Sequence, residues 1–179
     1  PTPVSALLHA VAVVKAGVFS FLVVVVYIIG PEYLFESKAS DWLIWLTSFT
    51  ILASSIIAIS KDDLKARLAY STISQLSYII LGAALATTFA IKGASFHIIT
   101  HAIGKITLFF CAGAIYVTAH VKKISQLNGL GYKTPLIFFA YTLGALSIIG
   151  VPPFVGSWSK FYLILGSLEA DYLFVAIIL

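Results

Sequence analysis

The sequence is poor in charge. Only 10% of its 179 residues are Asp, Glu, Lys or Arg, and 60% are apolar, whereas about a quarter of the residues in a soluble domain are charged. This composition excludes an ordinary water-soluble globule. The formal net charge of +4 does not support a polybasic face for nucleic acid, so nucleic acid is not an expected partner.

Cysteine is represented once, by Cys111, and methionine is absent. A single cysteine cannot form an intrachain disulfide or a thiolate metal cage. No nucleotide-binding loop is present either, so neither a metal nor another cofactor is expected. The chain opens at Pro1-Thr2-Pro3 without a basic and apolar leader. We therefore interpret residues 1–179 as an internal piece of a longer membrane protein, and we expect no soluble domain within these residues.

Long apolar runs occupy most of the chain. A transmembrane helix needs roughly 20 residues to cross the hydrocarbon core, which predicts an all-α, polytopic transmembrane helix bundle of about six spans. The predicted spans are A (Val4–Ile29), B (Trp42–Ser60), C (Leu68–Ala90), D (Ala94–His120), E (Pro135–Gly150) and F (Phe154–Leu168), with a further span beginning at Tyr172.

Basic residues alternate between the predicted connections. The A–B and C–D connections have one each, and the B–C and D–E connections have three each. By the positive-inside rule, B–C and D–E face the cytoplasm. The A–B connection carries Glu32, Glu36 and Asp41 and is expected to face outward. The basic residues, in chain order, are Lys38; Lys61, Lys65 and Arg67; Lys92; and Lys122, Lys123 and Lys133.

The segment Gly150-Val151-Pro152-Pro153 separates E from F and cannot remain helical, because proline lacks an amide donor and pushes the preceding residue toward extended geometry. E and F are either two full spans or two halves of one broken helix. In the second case Glu169 and Asp171 lie outside. We favour the broken helix, since no Lys or Arg lies near that end. Unwound backbone at membrane depth indicates a polar pathway.

Ionisable side chains within predicted spans need a reason, because each costs about 2.5–3.5 kcal/mol at mid-bilayer. Lys15 lies in span A, Lys105 near the middle of D, and Lys160 in F. Span D also contains His97 and His101. All seven acids fall in connections or at span ends, so a carboxylate that pairs with the lysines must come from outside residues 1–179.

The spacing of His97, His101 and Lys105 predicts one stripe along span D. Each four-residue step advances about 6 Å and turns the helix by only about 40°. Gly104, beside the stripe, is expected to leave room for water. Histidine titrates near neutral pH, and bases that water can bridge are what proton relay across an apolar slab requires.

Several structural alternatives remain open. Each lysine could be an inert amine satisfied by backbone carbonyls, and each histidine alone could be a packed core residue. Polar residues at helical spacing on spans B and C are interpreted as interhelical hydrogen-bonding groups and not as sites. They are Thr47, Thr50 and Ser54 on B, and Ser71, Ser74, Gln75 and Tyr78 on C.

Four segments resemble signatures of one protein family. They are Pro1-Thr2-Pro3-Val4-Ser5-Ala6-Leu7-Leu8-His9-Ala10 with Val14-Lys15-Ala16-Gly17-Val18, Asp63 to Gln75, His97 to Lys105 with Cys111-Ala112-Gly113-Ala114, and Gly150 to Lys160. In this order they resemble the antiporter-like subunits of respiratory complex I, the multisubunit cation/proton antiporters and the membrane-bound hydrogenases. The segments 159–163 and 166–170 are more similar to the D-type antiporter subunits and the hydrogenase relatives.

The resemblance implies two inverted repeats, each with a discontinuous helix, and a chain of buried lysines, histidines and a glutamate that conducts protons. Lys15 would be the central relay lysine, and Lys160 the terminal lysine in the second broken helix. His97, His101 and Lys105 would connect them. The first broken helix, with its lysine and the paired glutamate, would precede Pro1.

These features predict proton translocation without covalent chemistry, in a multi-pass protein of a prokaryotic inner membrane. A proton would enter from the cytoplasm, sit on Lys15, pass along span D and leave at Lys160. Membrane lipid, other subunits, protons and either Na⁺ or K⁺ are the expected partners; the parent complex is an oxidoreductase of the NADH:quinone type or an antiporter.

Two rival functions are also consistent with the residues. One is an inert membrane scaffold. The other is a haem-binding electron carrier that uses two of His9, His97 and His101 as iron ligands, which a Soret band would reveal. His97 and His101 share a helix face and therefore cannot both ligate one iron.

Overall fold

The structure, a computed structural model, describes residues 13–179. The start of span A, His9 and the first part of the first signature lie outside the described residues. The described helices are α1 (Val13–Val23), followed by a π-helical segment (Val24–Ile29), α2 (Pro31–Ser37), α3 (Asp41–Ser60), α4 (Leu64–Leu85), α5 (Thr88–Ala119), a 3₁₀ turn (Ile124–Gln126), α6 (Leu130–Lys133), α7 (Pro135–Ile149), α8 (Val155–Glu169) and α9 (Leu173–Ile178).

Three helices, α3, α4 and α5, are long and apolar enough to cross a membrane. A fourth span exists if α1, the π-helical segment and α2 are taken together; α2 bends away from them by 83° at Gly30. Gly30 has a φ of 88°, a backbone conformation that glycine adopts readily. The predicted all-α membrane class is thus confirmed.

The boundary between spans C and D was predicted wrongly. Instead of ending at Ala90, α4 ends at Leu85, and α5 begins at Thr88. Ala86 takes the left-handed conformation that terminates α4, and the Thr87 hydroxyl accepts the Ala90 amide 3.2 Å away as the cap of α5. Lys92 therefore belongs to the first turns of α5 and not to a connection.

Spans E and F are two halves of one broken helix. Neither α7 nor α8, with 15 residues each and so about 22 Å in length, spans a bilayer. They lie end to end, antiparallel to the 32-residue α5. This arrangement is the one that the favoured broken-helix alternative predicts. The neighbouring pairs along α5 are Gly144 with Gly104, Leu163 with Gly93 and Gly166 with Ala90.

The two connections that are richest in lysine and arginine meet at one end of the bundle. The Leu64 amide donates to the Lys122 carbonyl at 3.0 Å, and the Ile124 amide donates to the Asp62 carbonyl at 2.7 Å. Asp63 and Lys123 form an isolated antiparallel bridge. Both predicted cytoplasmic connections therefore lie on the same side; that this side is cytoplasmic stays a prediction.

Four of the seven acidic residues line two cavities at the opposite end of the bundle. Glu32 and Glu169 line one cavity, and Asp41 and Asp171 line another. Burial and a hydrogen bond to Asp41 raise the pKa of Tyr172 to about 12, so its hydroxyl stays protonated and donates to that carboxylate. Glu169 and Asp171 thus lie on the same side as the A–B connection. The broken-helix alternative predicts this side for them.

Asp62 ties the two basic connections together. Its carboxylate accepts the Ser125 amide at 3.0 Å and the Ser125 hydroxyl at 2.9 Å. These two hydrogen bonds are the main reason that the pKa of Asp62 lies below the ordinary value of 3.8. Asp63, one residue later, instead caps α4 by accepting the Ala66 amide.

We expect this tie to weaken in acid. Because the folded-state pKa is lowered, its contribution to stability is complete above the ordinary pKa of 3.8 and is lost as the pH falls through the lowered value. Thermal unfolding of the full-length protein between pH 7 and pH 3 tests this. Asp62→Asn should lower the Tm at pH 7 and flatten its fall toward pH 3. Glu36→Gln, an exposed acid at the other end, is the control, and an unchanged acid dependence in Asp62→Asn would contradict the role of the carboxylate.

Candidate functional site

Three bases lie on one buried face of α5. His97 is 2% exposed, His101 is 1% exposed and Lys105 is fully buried. The two imidazole rings stack with their centroids 6.0 Å apart and an angle of 18° between their planes, as the four-residue spacing predicts. The sequence thus places three titratable groups in one row, which we call the α5 stripe.

Lys105 points at α4. Its ammonium donates to the Leu68 carbonyl at 2.9 Å and also to the Ser71 hydroxyl. Lys105 lies near the middle of the 32-residue α5, and its partners are uncharged. The amine is therefore solvated by dipoles, an arrangement that permits both the charged and the neutral form.

His97 contacts the second half of the broken helix. Its Nδ1 lies 3.0 Å from the Ser159 hydroxyl oxygen, and that hydroxyl donates to the Gly156 carbonyl at 2.9 Å. Because the single hydroxyl proton points at the carbonyl, His97 Nδ1–H is the donor to Ser159. The lone pair of a neutral His97 then resides on Nε2, where a proton can be received.

Lys160 reaches back across the helix break. Its ammonium donates to the Ile149 carbonyl at 3.0 Å, at the C-terminal end of α7, where the unpaired carbonyls and the helix dipole favour a cation. The same ammonium lies 5.2 Å from the centre of the Tyr78 ring. That ring is itself stacked 5.6 Å from His97. Tyr78 thus lies next to both Lys160 and the α5 stripe.

Lys15 lies on α1 and is 5% exposed. It is close enough to act electrostatically on both His97 and His101. Lys160 acts in the same way on His97, and Lys105 on His101. Lys15 and Lys160 therefore both lie near the α5 stripe, and we refer to the five residues together as the lysine–histidine group.

Some polar atoms in this group have no hydrogen-bonding partner within residues 13–179. They are Nε2 of His97 and both ring nitrogens of His101. Buried polar atoms are almost always satisfied, and water commonly supplies the missing partner. These imidazole atoms are the available proton acceptors and donors of the site.

The expectation for Gly104 was wrong. A Cβ atom at this position would lie 2.6 Å from Cγ1 of Ile148. The space beside Gly104 is therefore occupied by α7, because a glycine allows the broken helix to approach α5 closely. Gly104 serves helix packing, and hydration of the stripe must come from another face.

Ser71 and Tyr78 contribute to the site although the sequence analysis assigned them no role there. Their seven-residue spacing on α4 indicates that they share one helix face. A serine or a tyrosine on that face does not reveal which residue of another helix it will contact. Ser74 behaves as interpreted: its hydroxyl lies 2.9 Å from that of Ser55 on α3 and 3.3 Å from the Ile51 carbonyl.

The use of His97 and His101 together as the two ligands of one haem iron is excluded by their geometry. The near-parallel rings of His97 and His101 lie on the same side of α5, so they cannot oppose each other across one iron. His9 lies outside the described residues.

The comparisons with known proteins show the family to which the chain belongs. The family model for "NADH:quinone oxidoreductase/Mrp antiporter, TM" matches residues 1–179. The chain is 39% identical to NADH-quinone oxidoreductase subunit N of Desulforudis audaxviator, over 99% of this chain and 35% of that protein. It is 38% identical to subunit L of Mycobacterium tuberculosis, over 95% of this chain and 26% of that protein.

Solved structures share the fold. One in the Mrp complex of Dietzia sp. has a TM-score of 0.86 at 28% identity, covering 97% of this chain and 32% of that chain. A chain in the structure of the membrane-bound sulfane sulfur reductase, an archaeal respiratory membrane complex, has a TM-score of 0.83 at 27% identity. The match covers 99% of this chain and 37% of that chain. The chain thus spans about a third or less of the first relatives' length. It belongs to the NADH:quinone oxidoreductase/Mrp antiporter transmembrane family, whose members are integral membrane proteins.

Proposed function

We propose that this protein translocates protons across a membrane through the lysine–histidine group of Lys15, His97, His101, Lys105 and Lys160. The observation that carries the proposal is the burial of Lys15, His97, His101 and Lys105 in an apolar bundle. Lys105 has uncharged partners, and the histidines have nitrogens without a hydrogen-bonding partner within residues 13–179. Lys160 is half-buried and donates to the Ile149 carbonyl. Groups of this kind are costly inside a membrane and characteristically mark ion pathways.

The proposed path follows the helices. A proton enters from the cytoplasmic side, sits on Lys15 and passes along the α5 stripe. It leaves at Lys160 when a charge change on a neighbouring site alters the coupled proton affinities. The contact of Lys160 with Tyr78, and of Tyr78 with His97, supports exit from that end of the stripe.

The protein is proposed to work within a multisubunit complex that supplies the energy, because the relatives are subunits of quinone oxidoreductases and of Mrp and sulfur reductase complexes. Apolar side chains exposed along the outer face of α5 fit lipid or neighbouring subunits; they are Phe96, Ile103, Phe110 and Val117. A prokaryotic inner membrane and exchange against Na⁺ or K⁺ are further parts of the proposal.

The proposal is tested by joint replacement of Lys15, Lys105 and Lys160 with methionine in the full-length protein within its complex. We expect proton translocation in vesicles, measured by quenching of a pH-sensitive dye, to be lost while the complex still assembles. The control is the joint replacement of Lys38, Lys92 and Lys133, three exposed lysines, which removes the same charge. Normal translocation in the first variant would favour the rival function, an inert scaffold.

A further inference from the structure

The face of α4 that opposes the α5 stripe is polar. Ser71, Gln75 and Tyr78 are spaced i, i+4 and i+7, so they fall within an arc of about 60° on the helix. Lys105 contacts Ser71, and the His97 ring stacks near Tyr78. These two contacts show that α4 and α5 run antiparallel in fixed register. Gln75 therefore lies at the level of His101.

Both residues at this level have unsatisfied polar atoms. Gln75 is 9% exposed and His101 is 1% exposed. The carbonyl oxygen of Gln75 and both ring nitrogens of His101 find no hydrogen-bonding partner within residues 13–179. Buried polar atoms without a protein partner, at the same level of two packed helices, call for a small polar molecule beside them.

The charges nearby decide which molecule fits. Lys105, Lys15 and His97 all act electrostatically on His101, so a metal cation would be repelled. A water molecule is neutral, donates two hydrogen bonds and accepts two. It can donate to the Gln75 carbonyl and to the imidazole lone pair at once.

We propose that the Gln75 carbonyl and His101 hold buried water, and that Gln75 is a positioning residue that orients this water for proton transfer past His101. The second part rests on the proposed function; the first does not. The carbonyl of Gln75 neither gains nor loses a proton. It fixes the direction of a water hydrogen bond, so that His101 can pass a proton toward His97 or Lys105.

The water is detected without measuring transport. X-ray hydroxyl-radical footprinting of the full-length protein converts bound water into radicals that oxidise the nearest side chains, which mass spectrometry then locates. In the wild type we expect oxidation of His101 in spite of its burial. In Gln75→Leu we expect the oxidation of His101 to fall by about tenfold. The variant loses one hydrogen bond to the water, and in a dry interior this loss lowers the binding constant of the water by about that factor. Ser74→Ala, a neighbour that bonds to α3 instead, should leave it unchanged.

A conservative variant separates positioning from packing. Gln75→Asn keeps the side-chain amide and should retain most of the wild-type oxidation of His101 and most of the wild-type transport rate. Gln75→Leu keeps the side-chain volume without the amide and should retain neither. Absence of His101 oxidation in the wild type, or equal oxidation in wild type and Gln75→Leu, would overturn the water site. Full transport by Gln75→Leu would overturn the positioning role.

The two proposals fail in different ways. If the triple lysine variant transports normally while Gln75→Leu still loses the oxidation of His101, the proton pathway is refuted and the water site stands. If the triple variant is inactive but Gln75→Leu is oxidised like the wild type, the pathway stands and the water site is refuted.

Discussion

Replacing Lys105 with methionine in the full-length protein should reduce proton translocation by about 100-fold or more, the loss typical when a group that transfers a proton is removed. Lys105 is fully buried and is the member of the α5 stripe that contacts α4 through Leu68 and Ser71. Methionine fills most of the same volume without a proton site, so the helix packing should persist. Dye-quenching assays on vesicles, together with the yield of assembled complex, measure the two effects separately.

Two further substitutions separate proton transfer from charge. Lys105→Arg keeps the positive charge, but arginine does not release its proton in proteins, so translocation should fail in this variant as well. Lys92→Met removes an exposed lysine from the same helix and should leave the rate unchanged. Translocation at the wild-type rate in Lys105→Arg would contradict a relay role for Lys105.

Replacing Gly93 with valine should both destabilise the protein and stop translocation. A Cβ atom at Gly93 would lie 2.8 Å from the Leu163 amide nitrogen and 3.0 Å from the Ser159 carbonyl oxygen, and backbone atoms cannot yield as a flexible side chain can. α8 must therefore move away from α5, and Ser159 then loses its hydrogen bond to His97. We expect overpacking to cost about 1–3 kcal/mol and to lower the Tm by several degrees.

The control for Gly93→Val is Gly131→Ala. Its nearest neighbour, Cγ of Phe138, is 3.9 Å from the position that a Cβ would occupy, an ordinary contact. Differential scanning fluorimetry and vesicle transport should both give wild-type values for this variant. If Gly93→Val also behaves like the wild type, the close approach of α8 is not what holds Ser159 beside His97.

The α5 stripe was predictable because it depends on one helix alone. His97, His101 and Lys105 share a face at any position of that helix in the bundle, since helical periodicity is a local property. The distribution of basic residues likewise predicted which connections lie together, because topology follows from charges within the loops. Neither prediction depends on which helices are neighbours in the bundle.

The errors arose where neighbouring helices decide the outcome. The residues around Gly104 in the sequence cannot reveal that Ile148 of α7 fills the space beside this glycine. Tyr78 was interpreted as a general polar residue, and only the packing of α4 against α5 and α8 places its ring next to both His97 and Lys160. The end of α4 was misplaced because alanine at a left-handed position carries no clear sequence signal.

The sequence by itself determined that the protein is an apolar helix bundle, interrupted at Pro152-Pro153, with a row of bases on one helix, because hydropathy, proline chemistry and helical periodicity act over a few neighbouring residues. It left open whether the segments on either side of the prolines are two spans or one broken helix. Only the tertiary structure decided that Lys15 and Lys160 lie near that row, that glycines bring the broken helix against α5, and that Gln75 lies opposite His101. These relations join residues far apart in the chain, and close packing between helices alone fixes them.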